Sequence, residues 1–167
     1  MTYEEWEIEV HERVKKEPVW DFLGYRKALF LYDLVWEDCE KLMKDKRGKA
    51  IAEQIIRSAG SISANIEEGH GRGYGKQRNW FLTVSIGSAR ESKGWYWRAR
   101  KLLSTQVLDH RLALADEVIA LLVSELSRQR ARQFTNSPNR RLADSPTRSL
   151  AKSKPGRRHR CYQSLIC

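Results

Sequence analysis

The sequence predicts an all-α fold, an up-down-up-down antiparallel four-helix bundle, and three observations carry that reading. Four segments of the 167-residue chain repeat apolar residues at alternating steps of three and four, the spacing that lines one face of an α-helix. The connections between them are short and hold glycine or turn-forming residues, which joins neighbouring helices antiparallel. The stretch Ile51 to Arg72 is too broadly apolar for a surface helix. Ile51, Ile55, Ala59, Ile62 and Ile66 form one row, and Ala52, Ile56 and Ala59 widen it. The bundle is expected over residues 19–127, with a short extra helix at 1–18 and a disordered basic tail at 128–167.

Taken in order, Thr2-Tyr3-Glu4-Glu5 is a capping box that opens the N-terminal helix. Trp6, Val10 and Val14 share a face, and Pro18 ends the helix. About four turns are marginal alone, so this helix is expected to lean on the bundle through Trp6. The first bundle helix runs from about Asp21 to Lys44. Phe22, Tyr25, Leu29, Tyr32, Trp36, Cys39 and Met43 repeat at knobs-into-holes spacing, and Leu23, Phe30 and Leu34 add a second row. Two rows imply two buried faces, the second lying in a thick core or at a subunit interface. The shortness of the chain favours the interface.

Asp45-Lys46-Arg47-Gly48 reads as a turn, and the second helix follows until Gly69 stops it. Gly69, Gly71, Gly73 and Gly75 then alternate through a loop that fails as a phosphate loop. Gly75-Lys76 is followed by Gln77, His70 stands where the first glycine should be, and the loop follows a helix instead of a strand. Chain reversal between antiparallel helices accounts for the glycines. Arg72, Lys76 and Arg78 still gather near the start of the third helix, where free amides and the dipole favour an anion.

The third helix spans about Lys76 to Leu103. Ser85, Gly87, Ser88, Ala89 and Ser92 are small enough for close approach of a neighbour, with Phe81, Trp95 and Leu102 on either side. Another face holds Arg90, Lys93, Trp97, Arg100 and Lys101, cations with an aromatic among them. It is either a solvated face with a snorkelling tryptophan or a surface that stacks and neutralises single-stranded nucleic acid. The fourth helix opens after a Ser104-Thr105 cap, with Asp109 in its first turn. Leu108, Leu112, Ala115, Ile119, Leu122 and Leu126 carry its core face, and the pattern stops at about Ser127. Beyond it, prolines, serines and arginines with scattered apolar residues offer too little burial to offset ordering entropy.

The net charge of +10 divides unevenly. Residues 1–127 hold 20 Lys/Arg and 20 Asp/Glu, whereas residues 128–167 hold 11 Lys/Arg against Asp144 alone. A neutral body has no field that steers a polyanion from afar, so any such attraction is local or tail-borne. Cys39, Cys161 and Cys167 form no disulfide framework, which fits a reducing cytoplasm. The acidic N-terminus lacks an apolar signal segment, and no run approaches the roughly 20 apolar residues of a membrane span. A cytoplasmic protein without membrane contact is expected.

Ser61-Ile62-Ser63-Ala64-Asn65-Ile66-Glu67-Glu68-Gly69, followed by Arg72, resembles the signature of the four-helix-bundle family known as the 23S rRNA intervening-sequence proteins. That pattern is close to S-I-P-x-N-I-A-E-G-x-x-R. Gly87-Ser88-Ala89-Arg90-Glu91 is similar to the second landmark, G-S-x-x-E, and the likeness runs from about Tyr25 to about Leu126. Ser63 replaces the usual proline and Glu67 the usual alanine. Losing the proline should straighten the helix there. The resemblance implies a bundle with no attributed catalytic activity and assembly as a ring-like homopentamer. It also implies an association with rRNA intervening sequences.

Candidates for chemistry are few. Glu67-x-x-His70 has the spacing of a di-metal ligand pair, but that site needs a second such pair and two further carboxylates. His11, His110 and His159 have no glutamate three residues before them. No metal or cofactor is expected. Asn65, Glu68, Arg72 and Glu91 are expected to meet between facing helices as a structural polar network, since buried charges must be paired. The rival reading makes Glu68 and Glu91 acid-base carboxylates. The function expected is a non-enzymatic assembly or adaptor module that forms homo-oligomers and takes a protein partner. The alternative is an RNA- or DNA-binding module using Arg72, Lys76, Arg78, Arg90, Lys93, Trp97, Arg100 and Lys101. A carboxylate enzyme is the remote third.

Overall fold

The computed structural model describes residues 1–135. Over these residues the protein is all-α. Helices α1 (Tyr3–Glu9) and α2 (Glu12–Lys15) and a 3-10 turn (Pro18–Asp21) precede four long helices. These are α3 (Leu23–Leu42), α4 (Lys46–Gly71), α5 (Lys76–Ala99) and α6 (Thr105–Thr135). Successive long helices pack on each other, α4 most extensively on α5, and α3 against α6 closes the ring. Their directions alternate. Cys39, late in α3, donates its thiol to the carbonyl of Ala52, early in α4. Asp38 meets Tyr96, late in α5, and Arg111, early in α6.

The apolar rows do what their spacing dictates. Leu31, Val35 and Leu42 of α3, Ile55, Ala59 and Ile62 of α4, Ala89 of α5, and Val118 and Leu122 of α6 are fully buried. At about 25 cal/mol per Å² of apolar surface, this burial is the main term that opposes chain entropy. The capping box forms as expected, Glu5 amide to Thr2 Oγ1 at 3.2 Å and Thr2 amide to Glu5 Oε2 at 2.7 Å. Trp6 is 3% exposed, donates Nε1–H to Asp33 at 2.6 Å, and packs with Tyr3, Trp20 and Phe30. The N-terminal segment does lean on the bundle through that ring.

Five boundaries differ from expectation. The opening helix breaks at Val10, because His11 Nδ1 accepts from the Arg13 amide at 3.1 Å and starts a new turn. Asp45-Lys46-Arg47-Gly48 is not a turn: Asp45 is an N-cap, accepting from the Arg47 amide at 2.8 Å, and α4 begins at Lys46. Gly69 does not stop α4. It is buried inside the helix, where a Cβ would lie 2.9 Å from Phe81. The reversal falls to Gly73 and Gly75, whose φ values of 77° and 109° disfavour any other residue. Helix α5 ends at Ala99, four residues early.

The fifth difference is the largest. The core pattern was expected to stop at Ser127, yet α6 continues to Thr135. Its inward row continues as Glu125, Gln129 and Gln133, steps of four made of polar residues, so hydropathy alone misses it. Residues 128–135 are therefore helical rather than tail. The remainder of the expected disordered tail, 136–167, lies outside the described residues.

Two polar systems sit inside. Asp38 is fully buried. It accepts from Arg111 Nε at 2.7 Å, Arg111 Nη2 at 3.3 Å and the Tyr96 hydroxyl at 2.9 Å. Burial and the Asp38 charge push the Tyr96 phenol well above its ordinary pKa. Between α4 and α5 runs a hydroxyl seam: Ser92 donates to Ser58 at 2.9 Å, Ser85 to the Ile62 carbonyl at 3.0 Å, and Ser61 and Ser88 share a 2.9 Å bond.

Removing one partner from a buried ion pair strands the other charge, so Asp38→Leu should destabilise the protein by about 3–5 kcal/mol. Asp38→Leu combined with Arg111→Met should recover most of that loss. Urea denaturation of both variants measures it, and a double variant as weak as the single one would refute the pairing.

Candidate functional site

With the inside of the bundle occupied by structural groups, chemistry and recognition are left to the surface. The expected network of Asn65, Glu68, Arg72 and Glu91 does not form as one buried system. Asn65 is half-buried and joins the seam, donating Nδ2–H to the Ser61 carbonyl at 2.7 Å. Glu68 and Arg72 are exposed and pair with each other at 2.8 Å. Glu91 is also exposed, accepting from Trp95 Nε1 at 3.3 Å with Arg57 3.8 Å away. The helical phase explains the miss: Glu68 lies two residues past buried Ile66, on the far side of α4. Asp38, Tyr96, Arg111 and the serines hold the inner positions. Asp38 sits among apolar residues in sequence, a signal passed over.

Neither carboxylate forms an acid-base pair with a neighbour. Glu67 accepts from the Tyr25 hydroxyl at 2.9 Å instead of joining His70. Among the described residues no three His, Cys, Asp or Glu side chains converge as a metal site. No helix among them is long and apolar enough to cross a membrane.

Three surface regions remain. The first is the outer face of α3, where Tyr32, Trp36 and Met43 follow one another at helical spacing. The Tyr32 ring lies over Gly60 of α4 and meets Trp36 edge-on at 6.4 Å. Trp36 is 56% exposed and Met43 55%. These belong to the first row read from the sequence; its Tyr25 and Cys39 are buried, whereas its outer members are not.

The second is the α4–α5 corner. Arg72, Lys76 and Arg78 all lie there, but only Lys76 is clear of an internal partner. Arg72 is held by Glu68, and Arg78 reaches Glu125 at 3.5 Å. Two aromatics join them that the sequence reading did not assign, Tyr74 at 79% and Trp80 at 60% exposure. An aromatic inside a glycine loop flanked by cations was the available signal. The Arg78 guanidinium lies 5.5 Å from the Tyr74 ring.

The third is the outer face of α5. Arg90, Trp97, Arg100 and Lys101 are exposed there, with half-buried Lys93 among them, but the set is partly self-satisfied. Lys93 is 2.6 Å from both oxygens of Asp116, and the Arg100 guanidinium covers the Trp97 ring at 4.7 Å. An aromatic already stacked by its own arginine offers less to a nucleobase than Trp80 does.

A second buried carboxylate, besides Asp38, is Glu125 of α6. It is 4% exposed and accepts from Gln129 at 2.6 Å, from Arg128 and from Arg78. Burial alone would raise its pKa. The hydrogen bonds from Gln129 and Arg128, with the charges of Arg128 and Arg78, outweigh burial and hold it below the usual glutamate value.

The region 21–124 matches the model of a family described as the 23S rRNA-intervening sequence protein, more than half of the chain. A solved protein of unknown function from Bacteroides thetaiotaomicron, assigned to the S23 ribosomal protein family, has a similar structure. It is 20% identical with a TM-score of 0.59, over 62% of this chain and 98% of that one. At this identity the likeness shows the fold alone. None of the curated proteins matches the chain significantly.

A carboxylate with a depressed folded pKa adds stability above the unfolded value of about 4.3, and that stability is lost as pH falls through the folded value. Glu125→Gln should therefore lower the urea midpoint at pH 6 to 7. The gap to the parent protein should close as pH falls through and below 4. A gap that stays constant with pH would show that Glu125 is not charged in the folded protein.

Proposed function

The chain belongs to the 23S rRNA-intervening sequence protein family, and on that premise we propose that it is a non-enzymatic assembly module whose copies associate through the outer face of α3. The observation that carries this is the row Tyr32, Trp36 and Met43. Two large apolar side chains more than half exposed on one stripe lose contact with water only against another surface. Trp and Met at the centre, with exposed Glu37, Glu40, Lys41 and Lys44 around them, is the composition of an interface core and rim. A self-complementary assembly is the simplest cover, and the family resemblance makes a ring of five the expected size.

Light scattering should give a mass several times the 19.5 kDa of one chain. Trp36→Glu with Met43→Glu should reduce it to one chain while helical circular dichroism is kept, because neither side chain fills the core. A parent protein of one-chain mass would end this reading.

A second reading, a nucleic-acid-binding corner, is favoured by Tyr74 and Trp80 standing exposed beside Arg72 and Lys76. Stacking on such rings contributes roughly 1–3 kcal/mol per base. Affinity for single-stranded RNA should fall steeply with salt, and Tyr74→Ala with Trp80→Ala should weaken it at least tenfold. An affinity unmoved by the pair would leave the binding to basic residues elsewhere.

A further inference from the structure

A cleft of about 710 Å³ opens where the 3-10 turn, the α4–α5 connection and the last turns of α6 converge. Three guanidinium groups reach it, Arg78 from α5 and Arg128 and Arg132 from α6. Two carboxylates accompany them, Asp21 and Glu125. The Glu125 charge is turned into the wall: it is 4% exposed, with Gln129, Arg78 and Arg128 on its oxygens. One carboxylate between two arginines leaves positive charge over. Arg132 adds to it, for it is exposed and forms no ion pair with a described carboxylate. Tyr74, which the Arg78 guanidinium approaches to 5.5 Å, and Phe22 add aromatic walls.

Two of the three arginines lie outside the region that matches the family. The match ends at residue 124, so Glu125, Arg128, Gln129 and Arg132 all fall beyond it. The cleft exists because α6 keeps its helical phase from the last apolar core position, Leu126, to Thr135. A helical spacing of four sets Arg128 and Arg132 one above the other at its mouth. Paired guanidinium forks suit the geometry of a phosphate, which accepts two parallel hydrogen bonds from each.

We propose that this cleft binds a phosphomonoester, with Arg128 and Arg132 on its oxygens, Arg78 behind them and Tyr74 against the group that carries it. The phosphate belongs either to a small phosphorylated sugar or nucleoside or to the 5′ end of a nucleic-acid strand. The chemistry recognised is the same in both.

Calorimetric titration of the full chain tests it with ribose 5-phosphate, ribose, and a short single-stranded RNA carrying either a 5′-phosphate or a 5′-hydroxyl. Ribose 5-phosphate should bind saturably and ribose should not. Arg132→Gln should weaken that binding about tenfold, the value of one charge-assisted contact, without moving Tm. Glu125→Gln removes the opposing charge and should tighten it, a gain that a merely structural role would not produce. If only the RNA binds, with the 5′-phosphate form at least tenfold tighter and the same dependence on Arg132, the strand end is the source. Failure of both phosphorylated probes to bind, or binding that Arg132→Gln leaves intact, would overturn the proposal. If Glu125→Gln does not fold, the Arg132→Gln comparison decides alone.

Discussion

The buried carboxylate of Asp38 is the constraint from which much of the arrangement follows. It belongs to α3 but draws its partners from α5 and α6, so three of the four long helices must agree on one position. An uncompensated charge at that depth is unfavourable by several kcal/mol, and a slip of any of the three helices would create one. Apolar contacts tolerate sliding far better, because burial is indifferent to which methyl group meets which. Asp38 also fixes the rotation of α3. At 100° per residue, Trp36 lies about 200° from it and Met43 about 140°, so turning Asp38 inward turns both outward. The inner ion pair and the outer apolar row are two results of one helical phase.

The fold was legible in the sequence because apolar periodicity survives in every long helix, and Ile55, Ala59 and Ile62 are buried as their spacing requires. Failures came where polar groups took over a structural position. Asp38 sits on the apolar side of α3, and Glu125, Gln129 and Gln133 continue the inner row of α6. A reading that equates inside with apolar ends α6 eight residues early and overlooks the central ion pair. The same habit placed Glu68 and Glu91 indoors because they belong to a recognisable signature, whereas their angular positions on α4 and α5 point outward. Gly69 differs for a related reason: in sequence it reads as a stop, yet its lack of a side chain serves the approach of Phe81.

Charge is distributed by the same geometry. Residues 1–127 are balanced in charge, and some of their exposed acids and bases satisfy each other, as in Glu68 with Arg72 and Asp116 with Lys93. Such exposed pairs contribute little to stability, but they cancel the local field. What stands out against that background is the end of the bundle where α4 turns into α5 and α6 runs on. There the arginines outnumber the carboxylates and an aromatic stands open to water. Its character comes from the end of α6: residues 128–135 add Arg128, Arg130 and Arg132 and no acid to a span, 1–127, whose summed charge is nil.

The seam of serines between α4 and α5 has a mechanical consequence. Each hydroxyl is matched to a particular oxygen across the gap, Ser92 to Ser58, Ser61 with Ser88, and Ser85 to the carbonyl of Ile62. Shifting one helix by a turn would break all three at once, and the buried hydroxyls of Ser85 and Ser92 would be left without their partners across the gap. The pair is thereby zipped into a single stiff hairpin. Helices α3 and α6 are then held to that hairpin at one fixed point, since Asp38 of α3 is bonded both to Tyr96 of α5 and to Arg111 of α6.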